Sequence, residues 1–594
     1  VPSLDHVDLR LVDSVHEAME FKRFLGKRRP KNFLGLDTES SGLKAYLPGE
    51  KLRLIQIGDE QSGWVIPWEQ WGGVALEALE EWDGEWGLHN CPHDAQWLAV
   101  HAGFELPWDR VHDTMVQVAL KDPLRPKGLK PVSESILGKR ALAGERLLKQ
   151  GMQEQGWTWA TVPFSFMPYV VYSAIDPILV NFIDEEYRPW VDRYAGAAYD
   201  LERGAQRVCT RMMQRGMMLD VPYVNEARGK LEDYSQKARV WLKSTHGITS
   251  PNSGGQLRRA LEKEGQEILF FTKGGTPQFD KNALTFYKIE GQTEAVKQIA
   301  DCVLKIRHAE KIISSYLDNF LKFRDANDII HSNINTLAAR TGRMSVTDPA
   351  LQTLHRNDVI VRGSLIPRPG HAFITCDLNQ VEARMAAHFT EDKGLIESFL
   401  RAETDGSDFF CELGGLIFGE PISKKDPRRN MVKTIVYRTN YGGGENIEAM
   451  ALTAEVPYAQ MALAKAGFDS SFPGVEAELK RTEELAKSRT PPHLFSPYGR
   501  RFLLDPGHEY TQGFNARIQG HAAEYFKRCL LDIDAAGLGD AMVMVVHDEV
   551  IAEVPLEQAE EAKKIIEDCM TDRHSYKVPI TADASILTER WKKT

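Results

Sequence analysis

Two stretches far apart in the chain each end an apolar run in a carboxylate. The first is Phe373-Ile-Thr-Cys-Asp377-Leu-Asn-Gln380-Val-Glu382-Ala-Arg384-Met-Ala-Ala-His388, and the second is Met542-Val-Met-Val-Val546-His547-Asp548-Glu549-Val-Ile-Ala-Glu553. Two carboxylates brought into contact repel unless cations sit between them. Two divalent ions about 3.5–4 Å apart would clamp the attacking and leaving oxygens of a phosphoryl transfer. Taken singly, each stretch is as well read as a buried strand closed by a capping Asp. A third stretch, Arg428-Arg429-Asn-Met-Val-Lys433-Thr-Ile-Val-Tyr437-Arg-Thr-Asn-Tyr441-Gly442, tips the balance. Arg429, Lys433, Tyr437 and Tyr441 recur every four residues and so share one face of a helix. Two cations and two aromatic rings on one face suit a triphosphate and a base.

The elements that must position these groups can be read from local pattern. The β-forming run before Asp377 is bounded by Pro369-Gly370 and reads as a strand. From Asn379 the period turns helical, with Val381, Met385 and His388 at i, i+4 and i+7. Asp377 is therefore expected where a strand gives way to a helix. The two apolar runs around His547-Asp548-Glu549 predict a hairpin with those three residues at its tip.

A second set of acids lies near the start. Asn32-Phe-Leu-Gly-Leu-Asp37-Thr-Glu39 is an apolar strand that places two carboxylates on one face. His93-Asp94 supplies a third acid, and Tyr172-Ser-Ala-Ile-Asp176 a fourth, one helical turn after a tyrosine.

The three later stretches resemble motifs A, B and C of family A DNA polymerases, the group of bacterial DNA polymerase I and several bacteriophage replicative enzymes. The early acids, with Asp113-Thr114 and Gly128-Leu129-Lys130 between them, resemble the DEDD 3′–5′ exonuclease motifs of the same family. The resemblance implies an α/β chain: a ribonuclease H-like exonuclease domain over 1–195, then a right-hand polymerase over 196–594. Within the latter, 196–224, 331–390 and 521–594 would form the palm, 225–330 the thumb and 391–520 the fingers. No room is expected for a 5′-nuclease domain or a large thumb insertion, which points to a bacteriophage replicative type.

Further roles follow from the resemblance. Asp377 and Asp548 would hold two Mg²⁺ ions, with the Leu378 carbonyl as another ligand and Glu549 and His547 supporting the primer end. Arg429 and Lys433 would bind the triphosphate, Tyr437 would stack by sugar and base, and Tyr441 would pack near the templating position. Gln380 and Glu382 complete the dNTP site, with Glu382 beside the 2′ position and within hydrogen-bonding reach of Tyr437. Asp37, Glu39, Asp94 and Asp176 would hold two further Mg²⁺ or Mn²⁺ ions, and Tyr172 would orient the attacking water. DNA contacts are expected from Ser253, Lys273, Lys311, Arg343, Gln352, Asn515 and Gln519. Three departures stand out: Arg438 where the family has Gly, Phe410 where it has His, and Thr511 where bacterial relatives have Arg.

The remaining signals are consistent with this reading. At 594 residues, 42% hydrophobic and 26% charged, the chain suits an ordinary multi-domain globular protein. No run approaches the ~18 apolar residues of a membrane span, and the opening Val-Pro-Ser-Leu-Asp-His lacks the pattern of a signal peptide. Seven scattered cysteines without a Cys-x-x-Cys imply reduced thiols and a cytoplasmic setting, that of an infected host if the source is a bacteriophage. The net charge of −11 is no bar to DNA, because local basic patches decide affinity. Lys424-Lys-Asp-Pro-Arg428-Arg429 and Tyr498-Gly499-Arg500-Arg501 are the candidates. The helix before Gly216 is expected to stop there, with its methionines in the core. Pro251–Leu257 and Thr272–Thr276 are expected to be Gly-rich turns. Primer–template DNA, single-stranded 3′ ends and dNTPs are the expected partners of a monomer that works beside a helicase, primase or single-strand-binding protein. A single-subunit RNA polymerase is disfavoured by Glu382 and by the exonuclease motifs. A DNA-binding scaffold with a decayed site is disfavoured by the intact acids and cations.

Overall fold

The computed structural model describes residues 4, 6–27, 32–142, 144–354 and 358–592; most of the opening hexapeptide, Val1–Ser3 and Asp5, lies outside them. The first region is built on a six-stranded sheet. Its strands lie in the spatial order Asp8–Leu11, Ser62–Pro67, Leu52–Gly58, Phe33–Ser40, Glu85–Leu88, Val111–Asp113. Phe33–Ser40 runs antiparallel to Leu52–Gly58 and parallel to Glu85–Leu88. A long helix, Met167–Tyr194, lies across this sheet. Side-chain-free positions on the strands admit its backbone. A Cβ on Gly35 would overlap the Pro177 carbonyl, and one on Gly63 would overlap the Ala174 carbonyl. The helix can therefore settle onto the strands closely enough to bring its own polar face to theirs.

The second architectural centre is a four-stranded antiparallel sheet in the order Met542–Val546, Glu549–Pro555, His371–Leu378, Ala582–Leu587. Met542–Val546 and the central His371–Cys376 are buried throughout except for His371, which suits strands covered on both faces. Helices Glu509–Ile533 and Ala559–Met570 pack around this sheet. A run of helices between Val381 and Lys487 shares its core, whereas residues 242–306 form a separate helical core around Leu257, Tyr287 and Ile299. The first sheet has its own core, centred on Trp86 and Trp97.

Several local expectations are met. Helix Gly196–Arg215 stops at Gly216, whose φ of +59° is a conformation that favours glycine, and Met212 and Met213 are buried. The expected subdomain bounds at 224/225 and 520/521, by contrast, fall inside the continuous helices Val221–His246 and Glu509–Ile533.

Two expectations need correction. Gly254 and Gly255 do not form a turn but open helix Gly254–Lys263, because the Ser253 hydroxyl caps it by accepting the Gln256 N–H at 3.4 Å. Nor is Tyr498–Arg501 an exposed basic patch. Arg500 is 4% exposed and donates to Glu202 and Glu524, while Arg501 donates to the Lys121 carbonyl and lies over the Trp190 ring. The Arg500 charge is spent inside the second region, and Arg501 joins that region to the first.

Candidate functional site

Asp377 is the penultimate residue of strand His371–Leu378, and Asp548 occupies the two-residue turn between Val546 and Glu549. His547, at φ +57°, turns that corner in the left-handed region. The Leu378 N–H donates to the Asp548 carbonyl at 3.3 Å, so sheet pairing fixes the two acids side by side. Burial raises the Asp548 pKa and the Arg343 guanidinium opposes the shift. Asp377 stands opposite Glu549 on one neighbouring strand and opposite Asp583 on the other.

Around this pair the expected groups gather. Helix Val381–Thr390 follows at once, entered through Gln380 at φ +46°. Its Glu382 is 4% exposed, takes the Arg343 guanidinium as an ion pair, and accepts the Tyr441 hydroxyl at 3.0 Å. Tyr441, not Tyr437, is thus its partner, because helix Pro427–Asn440 ends just before Tyr441 and frees that ring. Burial raises the Tyr437 pKa, with Glu382, Tyr441, Asp548 and Asp377 adding to the rise. Gln352 and His547 meet at 3.5 Å beside the turn. Glu549 is bound by Arg362 at 2.8 Å and is 5% exposed, which makes it a brace for the turn. Arg429 is held by Asp408 through two bonds of 2.8 and 2.7 Å, and Lys433 is exposed one turn further on.

In the first region, ligand oxygens of Asp37, Glu39 and Asp176 lie within 4.8 Å of one another. Burial, then Asp94, Asp176 and Glu39, hold Asp37 well above the usual carboxylate range. Burial and Asp176 push Glu39 up to about 8. Asp94 is pushed up to about 7 by burial, against the Thr38 hydroxyl that donates to it at 2.7 Å. Asp94 therefore adjoins the cluster but faces Thr38. The Lys130 ammonium pairs with Asp176 and sits 4.4 Å from the centre of the Tyr172 ring.

The profile of DNA polymerase family A matches residues 222–593, well over half of the chain. The chain belongs to this family. It is 27% identical to the DNA polymerase of Mycobacterium phage D29 over 576 residues, covering 93% of this chain and 92% of the relative. With the DNA polymerase of Mycobacterium phage L5 it shares 28% over 589 residues, 96% and 94% of the two chains. DNA polymerase I of Aquifex aeolicus is 25% identical over 612 residues, 96% and 98%. The POL domain of Pol1 from M. smegmatis, in complex with DNA primer-template and dNTP, has the same fold. Its TM-score is 0.75 at 20% identity, covering 98% of this chain and 99% of that one.

The structure shows where this family A polymerase places the three positions at which departures from the family pattern were expected. Phe410 is buried and carries the Arg429 guanidinium 5.5 Å from its ring centre. Arg438 turns away from the site and donates to the Thr453 hydroxyl at 3.0 Å. The Thr511 carbonyl lies where a Cβ on Gly442 would be, which requires glycine there at φ +74°. Asn515 and Gln519 lie on helix Glu509–Ile533, and the Asn515 side-chain oxygen Oδ1 is buried without a partner. Ser253, Lys273 and Lys311 are not brought to the acids: Ser253 caps a helix of the separate helical region, and the two lysines are exposed.

Arg362 and Asp408 are neighbours of the site that the sequence did not single out, whereas Lys130 lies in the Gly128-Leu129-Lys130 stretch. Of the first two, only Asp408 left a local signal, as the cap of helix Phe409–Phe418.

Proposed function

We propose that this polymerase adds dNTPs to a primer 3′ end at Asp377 and Asp548, and trims 3′ ends at Asp37, Glu39, Asp94 and Asp176. The observation that supports the first half is the backbone bond from Leu378 to Asp548, which brings the chain at Asp377 and at Asp548 together at the edge of one sheet. The all-oxygen donor sets fit Mg²⁺ or Mn²⁺ at both places. Such ions, when bound, supply charge neutralisation and activate the attacking oxygen.

The chain's own residues do the rest. Arg429 and Lys433 draw the triphosphate to one helix face, with Arg429 exchanging Asp408 for phosphate oxygens. Tyr437 lies against sugar and base. Gln352 and His547 hold the primer end, and Arg343 fixes Glu382. At the other site Tyr172 orients water while Lys130 offsets the crowding of acids. The phage relatives support replication of a bacteriophage genome; the cytoplasm of an infected bacterium, a monomeric state and a helicase, primase or single-strand-binding protein alongside belong to the same proposal.

Primer extension with dNTPs and with rNTPs tests the reading: robust extension with dNTPs only is expected, and preference for rNTPs would overturn it. Glu382→Ala opens space beside the sugar. The rNTP/dNTP efficiency ratio should rise about tenfold or more, the equivalent of ~1.4 kcal/mol. Overall activity should fall as well, because Arg343 and Tyr441 lose their shared acceptor. An unchanged ratio would show that Glu382 is not the gate.

Tyr437 bears on chain terminators. A dNTP's 3′-hydroxyl can hydrogen-bond its own phosphates, and a Tyr hydroxyl reaching the same place can stand in when that group is missing. Such a charge-assisted bond contributes roughly 1.5–3 kcal/mol, or about one to two decades of selectivity. In a background without 3′ trimming, the parent should accept ddNTPs readily and Tyr437→Phe should discriminate against them. Equal ddNTP/dNTP ratios would show the hydroxyl has no such role.

A further inference from the structure

Gln56 lies on strand Leu52–Gly58, directly opposite Asp37 in the antiparallel pair. Directly opposed residues project to the same face with Cβ atoms about 4.5–5.5 Å apart, within reach of a long side chain. Gln56 is fully buried, yet neither its amide nitrogen nor its amide oxygen has a hydrogen-bond partner. An unmatched buried amide destabilises the fold, and an apolar side chain would fill the space without that cost. The helix that covers this face presents Tyr169, Tyr172, Ser173 and Asp176 at i, i+3, i+4 and i+7. The Tyr169 and Ser173 hydroxyls are also buried and unmatched. Three of the molecule's unmatched buried polar side chains thus share the face that carries the acids.

We propose that Gln56 is a positioning residue of the Asp37–Glu39–Asp176 site: its amide N–H donates to the Asp37 carboxylate and holds it from outside the ligand sphere once a divalent ion is bound. Gln56 touches neither the ion nor the DNA. Its work is to fix which carboxylate oxygen faces the ion, as outer partners of metal ligands do. The inference rests on the exonuclease reading above.

The test is Mn²⁺ binding to the full chain, followed by electron paramagnetic resonance, with Asp37→Ala/Glu39→Ala defining which sites belong to this cluster. Gln56→Met keeps the length and removes the hydrogen bonds, and Gln56→Leu serves if the first variant folds poorly. The expected result is a 10–100-fold weaker Mn²⁺ affinity at those sites with a thermal midpoint no lower than the parent's. Primer extension by the same variant reports that the polymerase half is intact. Unchanged Mn²⁺ affinity in a folded variant would overturn the role of Gln56 alone. A parent with no Mn²⁺ site that the double variant removes would overturn the exonuclease reading, and this inference with it.

Discussion

Asp548→Asn abolishes primer extension and leaves 3′ trimming at the parent's rate. Loss of a carboxylate that balances charge in the transition state, at about 4 kcal/mol or more, lowers the rate by about three orders of magnitude. The substitution is otherwise conservative here. The turn is held by backbone, since the Leu378 N–H donates to the Asp548 carbonyl and not to its side chain. Asn fills the same volume, and the buried negative charge disappears. The folded state should be no less stable, and trimming depends on acids built on a different sheet. A single gel with labelled primer, run with and without dNTPs, reads both activities. Extension comparable to the parent's would refute the assignment.

Asp37→Ala with Glu39→Ala gives the converse: trimming of a labelled single strand is lost by about three orders of magnitude or more, extension persists, and errors accumulate. These two side chains supply two of the three carboxylates whose oxygens lie within 4.8 Å. The remaining Asp176 is paired with Lys130 and cannot hold the site alone. Removing two crowded buried acids also relieves their repulsion, so the thermal midpoint of the metal-free double variant should not fall. Undiminished trimming would sink the site.

What the sequence disclosed followed from backbone periodicity. Asp377 at the end of its strand, the hairpin that carries Asp548, and the cationic and aromatic face from Arg429 to Tyr437 all rest on spacing within one element. Contacts between elements were the harder part. Glu382 was expected within reach of Tyr437, whereas its partner is Tyr441, just past the end of the 427–440 helix. Arg500 looked like part of a basic patch because Arg501 adjoins it, whereas its partners Glu202 and Glu524 lie 298 and 24 residues away. Gly254 and Gly255 carry a turn composition, and the Ser253 cap overrides it. The spacing of Asp37 and Glu39 showed a face but gave no hint that Gln56 shares it, since strand register is invisible in one sequence.

The close seating of helix Met167–Tyr194 on Gly35 and Gly63 has a consequence for inheritance. Asp176 reaches the other acids only because the helix rests directly on bare strand backbone. Any side chain larger than hydrogen at those glycines would jack the helix upward and withdraw Asp176, with every acid still in place. A descendant of this enzyme could therefore become a mutator while its catalytic signature stayed intact, and a survey of motif residues alone would score it as a faithful copyist.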